Sequence, residues 1–413
     1  MKPLEYLDRS LMCDGVALAD VAAMAGTPCY VYSAKTLREN YRAYADAFGD
    51  TPHRVYYAMK ANGNLSILRL LAKEGAGFDI VSGGELFRVL KAGCDPSKVV
   101  FSGVGKTSAE IDQALEAGIF AFNCESEPEL ALIDSLTHRR GVKARVAIRV
   151  NPNVQASTHA YISTGGKAHK FGIDIDEAEG VYERARAHKS LLIEGVSCHI
   201  GSQIFDPTSL LKAVDRVLEF IDKLRGRGFD IRHADLGGGL GVGYKPDDEV
   251  PVISEFVAAL RARTTGRGLE VMVEPGRSIV GNAGVLVTRV LYRKRTGTKE
   301  FVITDAAMTD LIRPALYDAH HEILPVRAAE GLPTICADVV GPVCESGDFL
   351  AHDRTMPEAF PGDLLAVCTA GAYGFVQSST YNARPRAAEV LVDEGVARIV
   401  RQRETYEDLI RGE

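Results

Sequence analysis

The sequence lacks the features that mark nucleic-acid-binding, secreted or membrane-spanning proteins. Its 48 basic residues are outnumbered by 55 acidic ones, which gives a formal net charge of −7, and it has no dense run of lysine and arginine. We therefore expect neither nucleic acid nor an anionic membrane surface as a partner. The N-terminal segment lacks the apolar stretch of a signal peptide, and no apolar run approaches the roughly 18 residues of a membrane span.

Closely paired cysteines are also missing. The eight cysteines occur singly, without a Cys-x-x-Cys pair, at positions 13, 29, 94, 124, 198, 336, 344 and 368. In a chain of 413 residues without a signal peptide, this scatter predicts reduced thiols in the cytoplasm. It does not indicate a disulfide framework or a metal site, although one or two thiols can still have a chemical role.

What the chain does contain is a recurring unit, a short apolar run followed by a helical pattern. The eight runs are RVYYAMKA (54–61), GFDIVS (77–82), VVFSG (99–103), FAFNCES (120–126), ARVAIRV (144–150), IEGVSCHIG (193–201), HADLGGG (233–239) and EVMVEPG (270–276). Eight strand–helix units over about 220 residues predict an α/β fold, the (β/α)8 barrel, which typically needs roughly 250 residues. A doubly wound parallel sheet is the alternative, but no Gly-x-Gly-x-x-Gly follows the first run.

The pattern changes after Arg277. Short β-runs at turn-rich spacing occur within residues 284–304, 333–344, 362–373 and 386–404, which predicts a mainly-β second domain. We therefore predict a barrel domain over 29–277 and a β domain over 278–413, with residues 1–28 packing on the latter. Within the barrel, Thr107–Glu110 and Ser126–Glu129 fit capping boxes, and Gly118 fits a helix C-terminus.

Unusual residues cluster where barrel strands should end, the edge at which such barrels carry their active sites. Lys60 ends the first run; it is either an ordinary lysine with its amine in solvent or a desolvated amine able to form a Schiff base. His199 and Ser202, in CHIGSQ, end the sixth run. His199 is either a packed core histidine or a ring that stacks on an aromatic ligand, with the Ser202 hydroxyl available to a phosphate.

Two further motifs end the seventh and eighth runs. LGGGLG (236–241) is weak evidence by itself, because any tight turn uses glycines, but phosphate is commonly bound after strand seven of such a barrel. In EPGR (274–277), Glu274 and Arg277 either form a local ion pair or supply a carboxylate for a ring nitrogen and a guanidinium for an anion. One ligand accounts for all of these residues: pyridoxal phosphate, which has an aldehyde, a ring nitrogen and a phosphate.

The second domain contains its own group of chemical residues. Arg313 and Tyr317 lie in LIRPALYDAHH, Cys344 and Glu345 in GPVCESGDFL, and Tyr373 in GAYGF. A surface arginine and a buried small thiol are the ordinary interpretations. A cysteine beside a glutamate, between turn-forming glycines and a proline, is not the composition of a core, and this crowding favours a site.

Taken in order, these motifs resemble the diaminopimelate decarboxylase family of pyridoxal-phosphate enzymes, which have the alanine-racemase-like fold. The resemblance runs from about residue 25 to 405 through GTPCYVYS, YYAMKAN, FDIVSGGEL, FSGVGKT, ISTGGKAHKFGI, HIGSQ, GGGLG, EPGR, LIRPALYDAHHEI, GPVCESGDFL and GAYGF. The chain departs from the family pattern at Ala307 and Thr309, where Gly and Asn are usual, and at Gly243, where proline is common.

The resemblance implies a role for each motif residue. The cofactor residues are Lys60 as the Schiff-base lysine, His199 stacked on the ring, Glu274 at the ring nitrogen, and Ser202, Gly238, Gly239, Gly276, Arg277 and Tyr373 around the phosphate and ring. The substrate residues are Arg277, Arg313, Tyr317, Glu345 and Tyr373, with Cys344 as the proton donor after carbon dioxide leaves.

The implied reaction is the decarboxylation of meso-2,6-diaminopimelate to L-lysine, the last step of lysine biosynthesis. The resemblance also implies a homodimer in which Cys344 and Glu345 complete the active site of the neighbouring subunit.

Three alternatives remain beside it. A related decarboxylase of ornithine, lysine, arginine or a polyamine precursor has no distal carboxylate for Arg313 to bind. A racemase of this fold usually pairs the ring nitrogen with arginine, where this chain has Glu274. A pyridoxal-phosphate carrier without turnover tends to lose the second-domain residues that this chain retains.

Overall fold

The computed structural model describes residues 4–154 and 170–413. The described chain forms two compact units. The barrel unit consists of Asn40–Val242 and Val250–Ser278, and the β unit consists of the chain up to Glu39, Gly243–Glu249 and Ile279–Glu413. Residues 162–169 of the motif ISTGGKAHKFGI (162–173) lie outside the described residues.

The N-terminal segment belongs to the core of the β unit. Its elements are β1 (Leu4–Leu7), β2 (Ser10–Cys13), β3 (Val16–Ala17), α1 (Leu18–Ala25), β4 (Cys29–Ser33) and the start of α2 (Ala34–Phe48), which from Asn40 onward belongs to the barrel unit. Strands β1, β2 and β3 form an antiparallel meander. Leu11 and Val21 pack in one apolar core with Val285 and Val390, so burial of apolar surface ties this segment to the later strands.

The barrel unit contains the eight predicted strands and one short additional strand. They are β5 (His53–Ala58), β6 (Gly77–Ile80), β7 (Val99–Phe101), β8 (Ala121–Cys124), β9 (Ala144–Asn151), β10 (Ile173–Asp174), β11 (Leu191–Ser197), β12 (His233–Asp235) and β13 (Glu270–Val273). Neighbours pair in parallel, β8 pairs with β9 and β13 pairs with β5, so the sheet closes on itself. The barrel prediction is confirmed; β10 pairs in parallel beside the last two residues of β9.

Helices follow the barrel strands. They are α3 (Leu65–Lys73), α4 (Gly83–Lys91), α5 (Ser108–Ala117), α6 (Glu127–Arg140), α7 (Ile175–Ala185), α8 (Thr208–Gly226), α9 (Ile253–Thr264) and α10 (Arg277–Val280). The predicted capping box of α5 is present, and Gly118 ends that helix at φ 72°. The box at α6 is only half formed: Ser126 accepts the Glu129 N–H, but the Glu129 carboxylate accepts the backbone N–H of Glu125 instead.

The predicted β-rich second region is also confirmed. Its elements are β14 (Gly284–Thr296), β15 (Lys299–Thr304), α11 (Arg313–Tyr317), β16 (Ile323–Pro325), β17 (Thr334–Val340), β18 (Phe349–Pro357), β19 (Leu364–Val367), β20 (Ala388–Asp393), β21 (Val396–Arg401) and α12 (Tyr406–Leu409). The main strand order is β18-β17-β15-β14-β4-β20-β21, while β19 pairs with β14 and β16. The β15–β17 and β4–β20 pairs are parallel and the others are antiparallel.

The predicted domain limits, 29–277 and 278–413, stay a prediction. Residues 29–33 form β4, which lies between β14 and β20 in the sheet of the β unit. None of the eight cysteines forms a disulfide. Across residues 4–154 and 170–413, no helix is long and apolar enough to cross a membrane, and no three His, Cys, Asp or Glu side chains are grouped to bind a metal.

Candidate active site

One edge of the barrel carries polar side chains from all eight of its main strands. A parallel barrel places the carboxyl ends of its strands at the same edge. The polar residues at or just after these ends are Lys60, Asp79, Ser102, Asn123, Arg149, His199, Asp235 and Glu274. The closed sheet thus gathers into one place residues that are up to 214 positions apart in the sequence.

Lys60 forms an ion pair with the buried Asp79. It lies in a 3₁₀ turn (Met59–Ala61) that directly follows β5, and Asp79 lies in the neighbouring strand β6. Its Nζ donates a hydrogen bond to Asp79 Oδ2 over 2.9 Å. The Lys60 side chain remains 35% exposed, whereas that of Asp79 is fully buried. The amine is therefore reachable from solvent while a carboxylate stabilises its charged form.

His199 is held as a neutral imidazole. Its Nδ1 accepts the backbone N–H of Gly238 over 3.2 Å. Burial lowers the pKa of His199 well below its ordinary value, and the positive charges of Lys60 and Arg149 lower it further. A neutral ring with its orientation fixed by Gly238 can lie against an aromatic ligand without adding a positive charge.

The turn after β12 depends on glycine at two neighbouring positions. A Cβ added to Gly238 would collide with the carbonyl oxygen of Glu274, and one added to Gly239 would lie 2.5 Å from the Gly201 carbonyl oxygen. Gly239 also has φ +114°, which other residues rarely adopt. The close approach of these backbone segments explains why the sequence has glycines here.

Arg277 and Ser202 meet beside this turn. The Arg277 guanidinium is buried, and its Nη2 donates to Ser202 Oγ over 3.2 Å. Arg277 begins α10, and Gly276 precedes it, packed against the carbonyl oxygen of Ala58 at the end of β5. A guanidinium, a hydroxyl and nearby backbone N–H groups are the donors that suit a phosphate.

Glu274 is a buried acid inside a polar network. Its Oε1 receives contacts of 3.3 Å from both Ser102 Oγ and Asn123 Nδ2. Burial raises the pKa of Glu274 well above its ordinary value, and the negative charges of Asp235 and Asp79 raise it further, against the opposing charge of Lys60. Burial therefore favours the protonated form of Glu274 in the protein without ligand.

In the β unit, Arg313 is fixed by two aromatic rings. It begins α11 and is buried, with its guanidinium 4.4 Å from the centre of the Tyr244 ring. Its Nη1 lies 2.8 Å from His321 Nε2, and His321 Nδ1 lies 2.8 Å from the carbonyl oxygen of Cys368. Because Nδ1 must donate to that carbonyl, Nε2 accepts from Arg313. The arginine is thereby held in one orientation.

The β unit also brings the predicted Cys344 and Glu345 close to a second loop. The backbone N–H of Cys344 donates to Asn382 Oδ1 over 2.9 Å, and Cys344 is exposed. Asn382 has φ +55°, a left-handed conformation that asparagine adopts more readily than most residues. The negative charge of Glu345 and its hydrogen bond raise the pKa of the neighbouring Tyr381. These two loops therefore support each other.

The remaining predicted residues are also in the β unit. Tyr317 ends α11, one turn from Arg313, and the chain then turns at Asp318 with φ +50°. Tyr373 has φ +55° and lies between the buried Ala372 and Gly374. The short helix thus carries both Arg313 and Tyr317, as their spacing in RPALY suggests.

The sequence-based search missed the partners of the predicted residues. These are Asp79, Asn123, Asp235, Tyr244, His321 and Asn382. A signal was present for two of them, since Asp79 and Asp235 are charged residues within otherwise apolar strand runs and both are buried. The other four lacked such a signal.

Comparison with known proteins agrees with this geometry. Residues 34–281 match the model of the family described as pyridoxal-dependent decarboxylase, pyridoxal binding domain. The chain is 55% identical to a diaminopimelate decarboxylase of Pseudomonas aeruginosa, across 100% of this chain and 99% of the relative, and 48% identical to one of Aquifex aeolicus, across 98% and 96%. It is similar to the crystal structure of diaminopimelate decarboxylase from Helicobacter pylori complexed with L-lysine, with a TM-score of 0.91, 42% identity, and coverage of 95% of this chain and 98% of that one.

Proposed function

Because the chain belongs to the diaminopimelate decarboxylase family of pyridoxal-dependent decarboxylases, we propose that it converts meso-2,6-diaminopimelate to L-lysine and carbon dioxide. The observation that carries this proposal is the gathering of Lys60, His199 and Glu274 at one barrel edge, where the charge of Lys60 acts on both other residues. The enzyme is a carbon–carbon lyase, and its product places it at the end of lysine biosynthesis.

The donor set at the barrel edge fits pyridoxal phosphate. When bound, this cofactor supplies an aldehyde for the substrate amine and a conjugated ring that accepts the electrons of the breaking bond. Lys60 offers the amine for attachment, and Glu274 a protonated acid for the ring nitrogen. Ser202 and Arg277 would donate to the phosphate beside the glycine turn, whose Gly237 and Gly238 N–H groups already donate to Asp235 and His199.

The carboxylate of Asp79 stabilises a proton on the amine of Lys60. Lys60 would hold the cofactor through its amine, and this amine, when not bonded to the cofactor, would have to be kept away from the reacting atoms. The buried Asp79 carboxylate, 2.9 Å from Nζ, stabilises the ammonium form. An amine held in this way does not compete with the bound substrate.

His199 orients the cofactor and excludes water from one face of the ring. Since the imidazole is neutral, it does not oppose the positive charge that a protonated ring nitrogen carries. Its Nδ1 is occupied by the Gly238 N–H, which couples the position of the ring to that of the phosphate-binding turn. Stacking and phosphate binding are thereby linked in one element of the barrel.

We propose that the β unit supplies substrate recognition and the final proton. Arg313, fixed by Tyr244 and His321, is suited to grip a distal carboxylate, with Tyr317 on the same short helix. Glu345 would bind the distal amine and Tyr373 would contact cofactor and substrate. Cys344 would give its Sγ proton to the carbon that carbon dioxide leaves.

We also propose a homodimer in which Cys344 and Glu345 enter the active site of the partner. Support comes from the family resemblance and from the exposure of both residues on a loop that Asn382 holds in place. A cytoplasmic location is proposed as well; eight cysteines without a disulfide are consistent with a reducing compartment.

A substrate panel tests the proposed function. Carbon dioxide release is measured from meso-diaminopimelate, ornithine, lysine and arginine with the cofactor-loaded protein. We expect release from meso-diaminopimelate with a kcat/KM at least 100-fold above that of the others, because only this substrate has a carboxylate at its distal end for Arg313. Equal or faster release from ornithine or arginine would replace the proposal with the related decarboxylase, and no release from any would leave only cofactor binding.

A further inference from the structure

Two carboxylic acids lie against each other at the barrel edge, and only one of them has a role in the proposed reaction. Asp235 ends β12 and Glu274 follows the neighbouring β13. Both residues are buried, and the same amide nitrogen, Asn123 Nδ2, lies 2.8 Å from Asp235 Oδ2 and 3.3 Å from Glu274 Oε1. Two ionised carboxylates at one buried amide repel each other, so burial and like charge favour a proton on one of the two groups. The pair therefore favours a single negative charge.

The surrounding donors decide which carboxyl group is charged. Asp235 Oδ1 accepts the Gly237 backbone N–H over 3.0 Å, and its Oδ2 accepts from Asn123 Nδ2 over 2.8 Å. Within residues 4–154 and 170–413, Glu274 Oε1 has two longer contacts, of 3.3 Å each, from Asn123 and Ser102. Shorter hydrogen bonds stabilise negative charge on Asp235, so the proton belongs to Glu274.

The charges that face the pair favour retention of this proton. Asp79 adds a third carboxyl group from β6, whereas Lys60 is the cation that acts on Glu274. Cys198 follows β11. Burial, together with the negative charges of Asp235 and Glu274, raises the pKa of its thiol to about 12. Burial and like charge thus raise the pKa of Glu274 well above its ordinary value and raise that of Asp235.

We propose that Asp235 is a positioning residue whose buried carboxylate, fixed by Gly237 and Asn123, keeps a proton on Glu274 for the ring nitrogen of the cofactor. This inference rests on the proposed function. The alternative is a purely structural role, in which Asp235 only fixes the glycine turn by accepting the Gly237 N–H. The two differ in one consequence: a structural role leaves the protonation of Glu274 unchanged when the charge at position 235 is removed.

The negative charge of Asp235 would support the reaction through its effect on Glu274. A negative group behind Glu274 raises the affinity of the Glu274–nitrogen pair for their common proton, wherever that proton lies between them. Glu274 would thereby hold a proton at the ring nitrogen of the cofactor, which would supply a conjugated ring as electron acceptor. Asn123 is itself held in place, because Lys106 Nζ donates to its backbone oxygen over 2.8 Å.

The test measures the proton directly, in the cofactor-free full-length protein. Infrared spectra at pH 7 are compared for wild type, Glu274→Gln and Asp235→Asn, and the carbonyl stretch of a protonated carboxyl group is followed. Difference spectra against Glu274→Gln isolate this group from Glu85 and Asp310, whose pKa values burial also raises to about 7. We expect the Glu274 band in wild type and a weaker band in Asp235→Asn, where burial remains but the negative charge behind Glu274 is gone.

Asp338→Asn is the matched control. Asp338 is a buried carboxylate of the β unit that pairs with Lys299, a contact that lowers its pKa and keeps it ionised. Its replacement should leave the Glu274 band unchanged. If Asp235→Asn fails to fold by circular dichroism, Asp235→Ser replaces it, because serine keeps a neutral oxygen for the Gly237 N–H.

The inference is overturned if the Glu274 band persists unchanged at pH 7 in a folded variant without the charge at position 235, or if wild type lacks the band. A second readout uses the cofactor-loaded enzyme. The alkaline limb of the kcat profile should move to lower pH by about one unit or more in Asp235→Asn, with KM little changed. An unmoved alkaline limb would equally contradict the inference.

The infrared result is independent of substrate and cofactor. If the band behaves as expected but wild type releases no carbon dioxide from meso-diaminopimelate, the carboxyl pair is real and the proposed function fails. If wild type turns over and the band is absent, the function stands and the role of Asp235 fails.

Discussion

Lys60 and Asp79 form an ion pair in which the buried carboxylate depends on the lysine for its charge compensation. Nζ and Oδ2 are 2.9 Å apart, and Oδ1 of Asp79 is buried without a hydrogen bond to any described residue. The residue proposed to anchor the cofactor is therefore also a structural cation. Loss of Lys60 should cost stability as well as cofactor attachment.

A double-mutant cycle tests this coupling in the cofactor-free protein. Lys60→Met leaves a buried carboxylate uncompensated and should lower the free energy of unfolding by about 1–3 kcal/mol, less than for a fully buried pair because Lys60 is a third exposed. Lys60→Met combined with Asp79→Asn should recover most of this loss, as measured by urea denaturation. The exposed pair Arg184–Glu127 serves as control and should show no measurable coupling energy. If the coupling energy of Lys60 and Asp79 is as small as that of this control pair, the prediction is contradicted.

The thiol of Cys344 can be separated from cofactor binding. Cys344→Ala should keep the yellow absorbance of the bound cofactor but lose at least 100-fold in kcat, because no other residue is assigned to give the final proton. Cys336→Ala is the matched control, since Cys336 is also exposed. Wild-type turnover by Cys344→Ala would show that the proton comes from elsewhere.

Asn382 should act on catalysis through Cys344. Asn382→Ala removes the oxygen that accepts the Cys344 N–H and places alanine at φ +55°, so we expect about a tenfold loss of kcat with a smaller change in KM. Asn382→Asp keeps an acceptor and should restore most of the rate. The alkylation rate of Cys344 is measured in parallel, and it should change in the alanine variant only. Equal kinetics for all three proteins would exclude this support.

Subunit complementation tests the proposed shared site. Lys60→Ala and Cys344→Ala proteins are each expected to be nearly inactive. After random exchange, half of the dimers are mixed and one of their two sites is intact, so about a quarter of wild-type activity should return. Exchange is verified with differently tagged subunits. If verified mixed dimers stay inactive, Cys344 and Lys60 act within the same subunit.

Stability of the cofactor-free protein should fall in mild acid because of His233. Burial, together with the positive charges of Arg54 and Arg145, lowers the pKa of His233 to about 4. An unfolded histidine has a pKa near 6.5, so below that value the unfolded chain binds the proton more strongly than the folded one. The stabilising contribution is therefore complete above pH 6.5 and is lost as the pH falls toward 4.

We expect this histidine to account for about 2–3 kcal/mol of the free energy of unfolding lost between pH 7.5 and pH 4.5. Denaturant titrations at several pH values measure it. In His233→Asn, the free energy of unfolding lost between pH 7.5 and pH 4.5 should be smaller by that amount. Replacement of the exposed His138 by asparagine should leave this loss unchanged. An equal loss of unfolding free energy in His233→Asn and wild type would refute the role of His233.

The strands and helices of the barrel could be predicted because their signals are local. Each apolar run has the length and composition of a strand, and the helix between two runs has its own start and end signals, as Thr107 and Gly118 show. The cofactor residues were recognisable for a related reason: Lys60, His199 and Glu274 each follow a strand, at the edge that such barrels use for chemistry.

What the sequence by itself determined is thus the order of strands and helices, the closed barrel and the residue types at its edge. Only the tertiary structure decided which groups pair: Asp79 with Lys60, and Asn123 with a carboxyl group 151 positions later in the sequence. It likewise placed β4 between β14 and β20. A local pattern records the period and polarity of a segment, whereas a pairing partner is selected by burial, charge and close packing among segments far apart in the chain.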